Sequence, residues 1–429
     1  MDPLHLAVAL DGAGWHPAAW REPDAHPDEL FTAAYWTGLA LEAERGLLDF
    51  ITIEDALGLQ AASRYTGPKS PVGPDDRTDQ VRGRLDAVLI AARIAPATTH
   101  IGLVPTGTTT HTEPFHMSTA LATLDYVSGG RAGWRAQLSP QPEQARHFGR
   151  RELPDSASLF AEAADYVEVV RRLWDSWEDD AVIRDVPGGR FIDRDKLHYI
   201  DFEGQWFAVR GPSITPRPPQ GQLPVVALAH ARVPYEFATR AVDIVLITPA
   251  SIDHAEQIIT EIQNIDQYTK RLPAIPLHIY ADLTVFLDTD EAAARERKDR
   301  LDAADGAAYP YRGVGGVVPP GQHRGVRGVV PPGQQSDTAI FTGTPEQLAS
   351  LLLAWRAAEL AGFRLRPGAI PHDLEQVTRA LVPVLQAKGA FRTEYEEGFL
   401  RERLGLGPRP VNRYAALEDA ALEDKELSG

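Results

Sequence analysis

Short apolar runs with strand-like character recur along the chain, and between them lie longer stretches whose apolar residues return every three or four positions. Strand signals fall at Leu4 to Asp11, Phe50 to Glu54, Ile101 to Pro105, Arg131 to Ser139, Val225 to Ala229, Ile244 to Thr248, Leu277 to Leu287 and Phe363 to Arg366. Helical length and period occur in Asp28 to Arg45, Val81 to Ala95, Phe115 to Val127, Ser156 to Trp177 and Pro345 to Leu360, several with Pro or Ser near the start. Strands alternating with helices are the mark of βα units on a parallel sheet. Eight alternations favour a closed α/β barrel of the TIM-type (βα)-eight kind, with insertions, over an open doubly wound sheet. A barrel of this kind commonly runs past ordinary domain length, so the 429 residues read as a single domain over 1–429.

Two segments break the rhythm. Residues 180–222 are rich in Gly, Pro and aromatics, with short β-like pieces such as Gln205 to Arg210, and read as an insertion packed on the barrel rim. Residues 305–338 hold an internal repeat, RGVGGVVPPGQ from Arg312 and RGVRGVVPPGQ from Arg324. Two copies are too few for a solenoid. The segment reads either as a Gly/Pro-rich lid near the active-site mouth or as a tandem duplication carried in a surface loop. Both insertions are expected to shape the pocket. The closing stretch AALEDAALEDKELSG reads as a solvated acidic helix.

Charge and composition narrow the function. A net charge of −17 argues against nucleic acid or an anionic membrane as partner, because phosphates are held by concentrated Lys and Arg. With no cysteine, a disulfide scaffold, a thiolate nucleophile and a Cys-ligated metal are excluded. The opening LHLAVALD has no signal-peptide character and no apolar run reaches membrane length, so a cytoplasmic location is expected.

No GxxxxGK[ST] loop, GxSxG elbow or HExxH helix is present. His111 and His116 are five residues apart, a step that turns about 140° around a helix, so no metal site is expected from them. The barrel's own rule remains: functional groups sit at the C-terminal ends of strands. It nominates Asp11 to Trp15, Glu54 and Asp55, Thr106 to His111, Leu138 and Ser139, His230 to Arg232, and Thr248. Aromatic and hydroxyl side chains dominate this set, which suits a large planar cofactor better than hydrolysis by paired carboxylates. By position alone His16, His111 and Trp134, with Trp15, are the substrate-side candidates; a histidine there is placed to act as acid or base.

Several segments together carry a resemblance. IED at 53–55, TGTTTHTEPFH at 106–116, ATLDYVSGGRAGW at 122–134 and LWDSWEDDA at 173–181 are joined by the run from Asp193 to Val226, FTGTPEQLASLL at 341–352 and EYEEGFLRERLGL at 394–406. In order along nearly the whole chain, these resemble the nitrilotriacetate monooxygenase branch of the luciferase-like flavin-dependent monooxygenases. The resemblance implies a bacterial-luciferase-like barrel that takes reduced FMN as a co-substrate from a separate NADH- or NADPH-dependent flavin reductase. It also implies a small organic substrate and a homo-oligomer, usually a dimer or tetramer. Carried over by position, it places Asp55 at the isoalloxazine, Thr106 and Thr108 in the hydroxyl-rich turn facing the flavin, and Ser139 near the ribityl and phosphate region.

The departures from the family pattern concern the phosphate end. GRAGWRAQLS has Arg135 where the family has asparagine and Leu138 where it has threonine. Leu159 and Phe160 stand in place of an Arg-Tyr pair, and His230-Ala231-Arg232 in place of a Gly-Ser turn. Arg135 and Arg232 are the expected charged replacements, since a guanidinium fork suits phosphate. Two other readings stand beside the FMN monooxygenase: a deazaflavin-dependent oxidoreductase on the same fold, and a non-catalytic barrel with a degraded flavin site. The segments at 173–226 and 394–406 favour the FMN branch over the first.

Overall fold

The computed structural model describes residues 3–59, 78–267, 276–305, 317–318 and 338–416. Eight parallel strands close a barrel: β1 (His5–Leu10), β2 (Phe50–Ile53), β3 (Gly102–Thr108), β4 (Trp134–Gln137), β5 (Val225–Leu228), β6 (Ile244–Ile247), β7 (His278–Leu287) and, after an intervening β8, β9 (Gly362–Pro367). β9 pairs with β7 on one side and β1 on the other, which shuts the ring. All eight coincide with strands read from the pattern. β8 (Ala339–Gly343) was not anticipated. It pairs with Leu283–Leu287, the half of β7 that runs past the β6 pairing at His278–Ala281.

The outer layer comprises α1 (Ala33–Arg45), α2 (Ala87–Ile94), α3 (Pro114–Ser128), α4 (Pro142–Phe148), α5 (Ser156–Asp175), α6 (Arg232–Ala241), α7 (Ile252–Asp266), α8 (Glu291–Ala304) and α9 (Pro345–Trp355). α1 and α2 begin later than the sequence pattern suggests because Thr32 and Asp86 stop them, each side chain accepting an N–H of the first turn. α4, α6, α7 and α8 fall outside the helices that the pattern predicts; on α8, EAAARERKDRLDAA buries Arg297 and Lys298 beside Ala294 and Leu301, so its inner face has little apolar signal.

Strand alternation sorts the buried residues into two shells. Residues such as Leu6, Val8, Ile51, Leu103 and Trp134 face the helices. Ala7, Phe50, Val104, Val226, Ile244, Leu246 and Tyr280 fill the barrel's N-terminal half, where Leu400, Leu404 and Leu406 of the C-terminal segment close it from below. Gly102 is needed there: a Cβ would lie 2.6 Å from Leu400 and 2.7 Å from Phe50.

The 180–222 insertion leaves α5 and enters β5, so it lies at the N-terminal end of the barrel, opposite the mouth. It packs on the C-terminal segment there: Arg217 donates to Asp175 at 2.9 Å and to the Pro410 carbonyl at 2.7 Å, and His198 stacks on Tyr414 at 4.7 Å. The expectation that this insertion shapes the pocket is therefore corrected. Of the 305–338 segment only Asp305, Val317–Val318 and Thr338 are described, so the repeat, and the lid reading with it, lies outside the described residues, as does the acidic stretch from 417 on. Among the described residues no helix is long and apolar enough to cross a membrane.

Candidate functional site

Above the apolar plug the barrel interior becomes ionic. Alternation points Thr52 and Glu54, Thr106, Arg135 and Gln137, Asp282, and Arg364 and Arg366 inward from β2, β3, β4, β7 and β9 or their ends. Arg135 Nη1 donates to Glu54 at 3.0 Å, to Thr106 Oγ1 at 3.0 Å and to Gln137 Oε1 at 2.7 Å. Arg364 donates to Asp282 at 2.8 Å, Thr52 at 3.0 Å and Glu54 at 3.3 Å, and Arg366 donates to Asp282 at 2.8 Å. Buried charges persist only when paired and hydrogen bonded, and here each carboxylate is held by two guanidiniums or by one and its neighbours. Burial pulls the Arg135 guanidinium down to about 10, with Glu54 opposing. Closer to the mouth, Arg84 donates to Asp11 at 2.7 and 2.8 Å, and the Arg366 guanidinium lies 4.3 Å from the Trp15 ring centre.

The rim over β3 and β4 is a knot of hydroxyls. Thr108 Oγ1 meets Ser139 Oγ at 2.8 Å and accepts from the Thr110 N–H at 3.2 Å, while Thr110 Oγ1 accepts from the Ser139 N–H at 3.2 Å. Thr112 Oγ1 donates to the Thr108 carbonyl at 2.7 Å and meets Tyr166 at 3.0 Å. His111 closes this turn with φ of 68°, a left-handed conformation that a non-glycine residue rarely adopts. Its ring stacks on Phe148 at 5.2 Å and is engaged by the Ser139 backbone, yet its buried Nε2 has no hydrogen-bond partner among the described residues. Burial, and then the charge of Arg151, lowers its pKa, so the imidazole is neutral at neutral pH. A strained backbone and an orphaned buried nitrogen at a strand's C-terminal end together mark a position shaped for a bound molecule.

The remaining expected residues fall into three groups. Thr106, Thr108 and Ser139 join this constellation, Thr106 one layer below the rim as an acceptor for Arg135. Asp55 sits at the rim, but its carboxylate accepts from the Ala56 N–H at 2.7 Å and the Ala87 N–H at 3.0 Å, tying the β2 end to the start of α2. Burial raises its pKa, the two backbone N–H groups opposing. His230, Ala231 and Arg232 are exposed at the start of α6, where Ala231 as N-cap provides no side-chain cap. The Arg232 side chain is 72% exposed and bridges Glu236 at 2.9 Å, one helical turn on.

Three expectations need correction. Trp134 does not face the mouth: it is fully buried between sheet and α5, its Nε1 donating to the Gly107 carbonyl at 3.1 Å and its ring 5.9 Å from Tyr166. Next to an inward Arg135, strand alternation leaves it no other side. His16 has both nitrogens engaged, Nδ1 accepting from the Ala18 N–H at 3.0 Å and Nε2 meeting Asp302 at 3.0 Å, which ties it to α8 as a structural residue. Arg135 is committed inside the barrel rather than standing as a second phosphate fork with the exposed Arg232. Missed altogether were Asp282, Arg364, Arg366 and Arg84. The first three had a signal: in FRLRP the two arginines alternate with an apolar residue on a barrel strand, so they share its inner face and demand acids opposite.

Comparison with known proteins agrees with this architecture. The family described as "Luciferase-like monooxygenase" matches residues 15–361. N-acetyl-S-(2-succino)cysteine monooxygenase of Bacillus subtilis is 31% identical over 96% of this chain and 98% of its own length. Nitrilotriacetate monooxygenase component A of Aminobacter aminovorans is 28% identical over 96% and 98%. Among solved structures, a riboflavin lyase with modified FMN and riboflavin superposes with a TM-score of 0.79 at 24% identity, covering 95% of this chain and 97% of its own.

Proposed function

This chain belongs to the luciferase-like monooxygenase family and is an enzyme, and from that premise we propose that it uses reduced FMN and molecular oxygen to oxygenate a small organic molecule. The observation that carries the reading is the orphaned His111 Nε2 within the hydroxyl turn of Thr108, Thr110 and Ser139, on a chain that aligns with monooxygenases from end to end. A second protein, an NADH- or NADPH-dependent flavin reductase, would supply the reduced flavin; the relative named as a component A supports that division.

The residues present fit FMN. Thr108 and Ser139, whose hydroxyls meet each other at 2.8 Å, would offer them to a ribityl chain. The uncapped start of α6 offers backbone N–H groups and the positive end of its dipole to a phosphate, with His230 and Arg232 beside it. Asp55, by fixing the β2 end against α2, would position the loop along the isoalloxazine edge. Reduced FMN, when bound, supplies the electrons that activate oxygen. The chain's own part is to orient the reactants, exclude water and manage one proton. His111 is suited to the last: neutral, held by stacking and by the Ser139 backbone, its unpartnered Nε2 would accept a proton from a substrate bound beside it.

Anaerobic titration with FMN, reduced FMN and reduced deazaflavin, followed by admission of oxygen, tests the proposal. Saturable binding of reduced FMN and an oxygen-dependent flavin absorbance transient are expected. Binding of deazaflavin alone would replace the monooxygenase with a hydride-transfer enzyme, and binding of no flavin would leave a barrel without catalysis.

A further inference from the structure

The indole of Trp15 takes no part in the flavin and proton roles above, yet it is fixed at the mouth on every side that can be fixed. After β1 the chain turns back on itself, the Gly14 N–H donating to the Asp11 carbonyl at 2.8 Å. Gly14 has φ of 132°, and a Cβ there would lie 2.5 Å from the Gly368 carbonyl oxygen. That close approach lets the Trp15 and His16 N–H groups donate to the Pro367 and Gly368 carbonyls, each at 2.9 Å, so the turn is pinned to the end of β9. The ring is held as well. Its Nε1 donates to the Ala9 carbonyl at 3.0 Å, and one face rests on the Arg366 guanidinium, fully buried and tied to Asp282. A side chain held at its backbone, its Nε1 and one face gives up little rotamer freedom when something binds to it. Trp15 is nevertheless only half-buried. The face on Arg366 is covered, so the accessible part of the indole is turned away from the ionic layer.

The charges around it are already committed. Arg84 is paired with Asp11, Arg135 with Glu54, Arg366 with Asp282 and Arg151 with Glu162, and all four carboxylates are buried. Drawing one of these guanidiniums off to a substrate anion would strand a buried carboxylate, a heavy cost. What the mouth offers without that cost is an aromatic plane. We propose that Trp15 is the specificity-determining platform of this site, and that the substrate carries a flat aromatic or conjugated group that stacks on it, rather than a cluster of carboxylates. The inference rests on the reading of the mouth as an oxygenation site. The guanidinium beneath the indole draws its π density down, so an electron-rich ring is the better partner for the face above. The turn that holds His111 follows β3, two strands round the ring from β1, so the stacked group and the proton acceptor are supplied from different sides of one mouth.

Calorimetric titration of the full chain with naphthol and with its saturated counterpart, decahydronaphthol, tests the platform, anaerobically and both with and without reduced FMN. Wild type is expected to bind naphthol roughly tenfold more tightly than the saturated probe. W15L is expected to lose that preference while binding reduced FMN as wild type does, and W15F to keep most of it. Equal binding of the two probes by wild type, a preference that survives in W15L, or a W15L defect confined to reduced FMN overturns the proposal. A preference for naphthol in a wild type that binds no flavin supports the platform and removes only the oxygenation reading. Should W15L fail to fold, fluorotryptophan-labelled wild type carries the test: the fluorine resonance missing from W15F is expected to shift with naphthol and not with decahydronaphthol, and an unmoved resonance is equally decisive against it.

Discussion

The two ends of this barrel use opposite chemistry to fill the same kind of space. At the N-terminal end Phe50, Val104 and Tyr280 meet Leu400, Leu404 and Leu406, and a chain segment from far along the sequence closes the ring with apolar side chains. Toward the mouth the same strands point Thr52, Glu54, Arg135, Asp282, Arg364 and Arg366 inward, and the volume is held by paired charges. An apolar plug tolerates small changes in contact at moderate cost. A buried ionic layer does not, because removing one charge strands its partners. The difference makes the lower end an apolar closure and the upper a fixed polar floor, beneath the turn that holds His111.

Four measurements break or sharpen that contrast. Asp282 accepts from both Arg364 and Arg366, so D282A is expected to cost about 4 kcal/mol in urea unfolding and to weaken flavin binding as well. If only stability falls, the ionic layer is not a floor for the site. Next in size, L400A opens a cavity in the plug and is expected to cost about 3 kcal/mol with reduced-flavin affinity unchanged; a parallel loss of affinity would erase the division between the ends. H111A is expected to slow turnover roughly a hundredfold, with only a modest loss of stability from the lost Phe148 stacking, because alanine also leaves no buried orphaned nitrogen. Undiminished kcat would remove His111 from the chemistry.

The smallest effect concerns the lower end and pH. Burial pushes the Asp243 carboxyl up, but Arg171 at 2.7 Å and Arg401 at 3.4 Å overcome it and lower the pKa from 3.8 to about 2. A folded-state pKa below the unfolded one contributes stability above pH 4 that is lost as pH falls through 2. D243N is therefore expected to lose about 2 kcal/mol at neutral pH and to converge on wild type between pH 4 and 2. A difference that persists at pH 2 would put the effect in packing instead of charge.

The barrel was legible because its signals are local. Apolar runs such as ITI and VVAL, spaced by helical stretches, announce their own period, and all eight strands fall where that period puts them. The pattern missed β8, five residues ending in Gly, and the helices α4, α6, α7 and α8, of which α8 buries charged residues but α7 carries a plain apolar period at Ala255, Ile258, Ile259 and Ile262. In the candidate site the strand-end rule found the Thr108, His111 and Ser139 turn. It mistook Trp134 and His16, because proximity to a strand end does not say which way a side chain points or what meets it.

By itself, then, the sequence determined the alternation of elements, the closed barrel and the family, all of which rest on periodicity and on motifs read along the chain. Only tertiary structure decided which charges pair across the barrel, that Arg135 belongs to Glu54 and not to an exposed helix start, and that the 180–222 insertion hangs from the end opposite the mouth. These are contacts between residues tens to hundreds of positions apart. Their energies depend on burial and distance, quantities that exist only once the ring is closed.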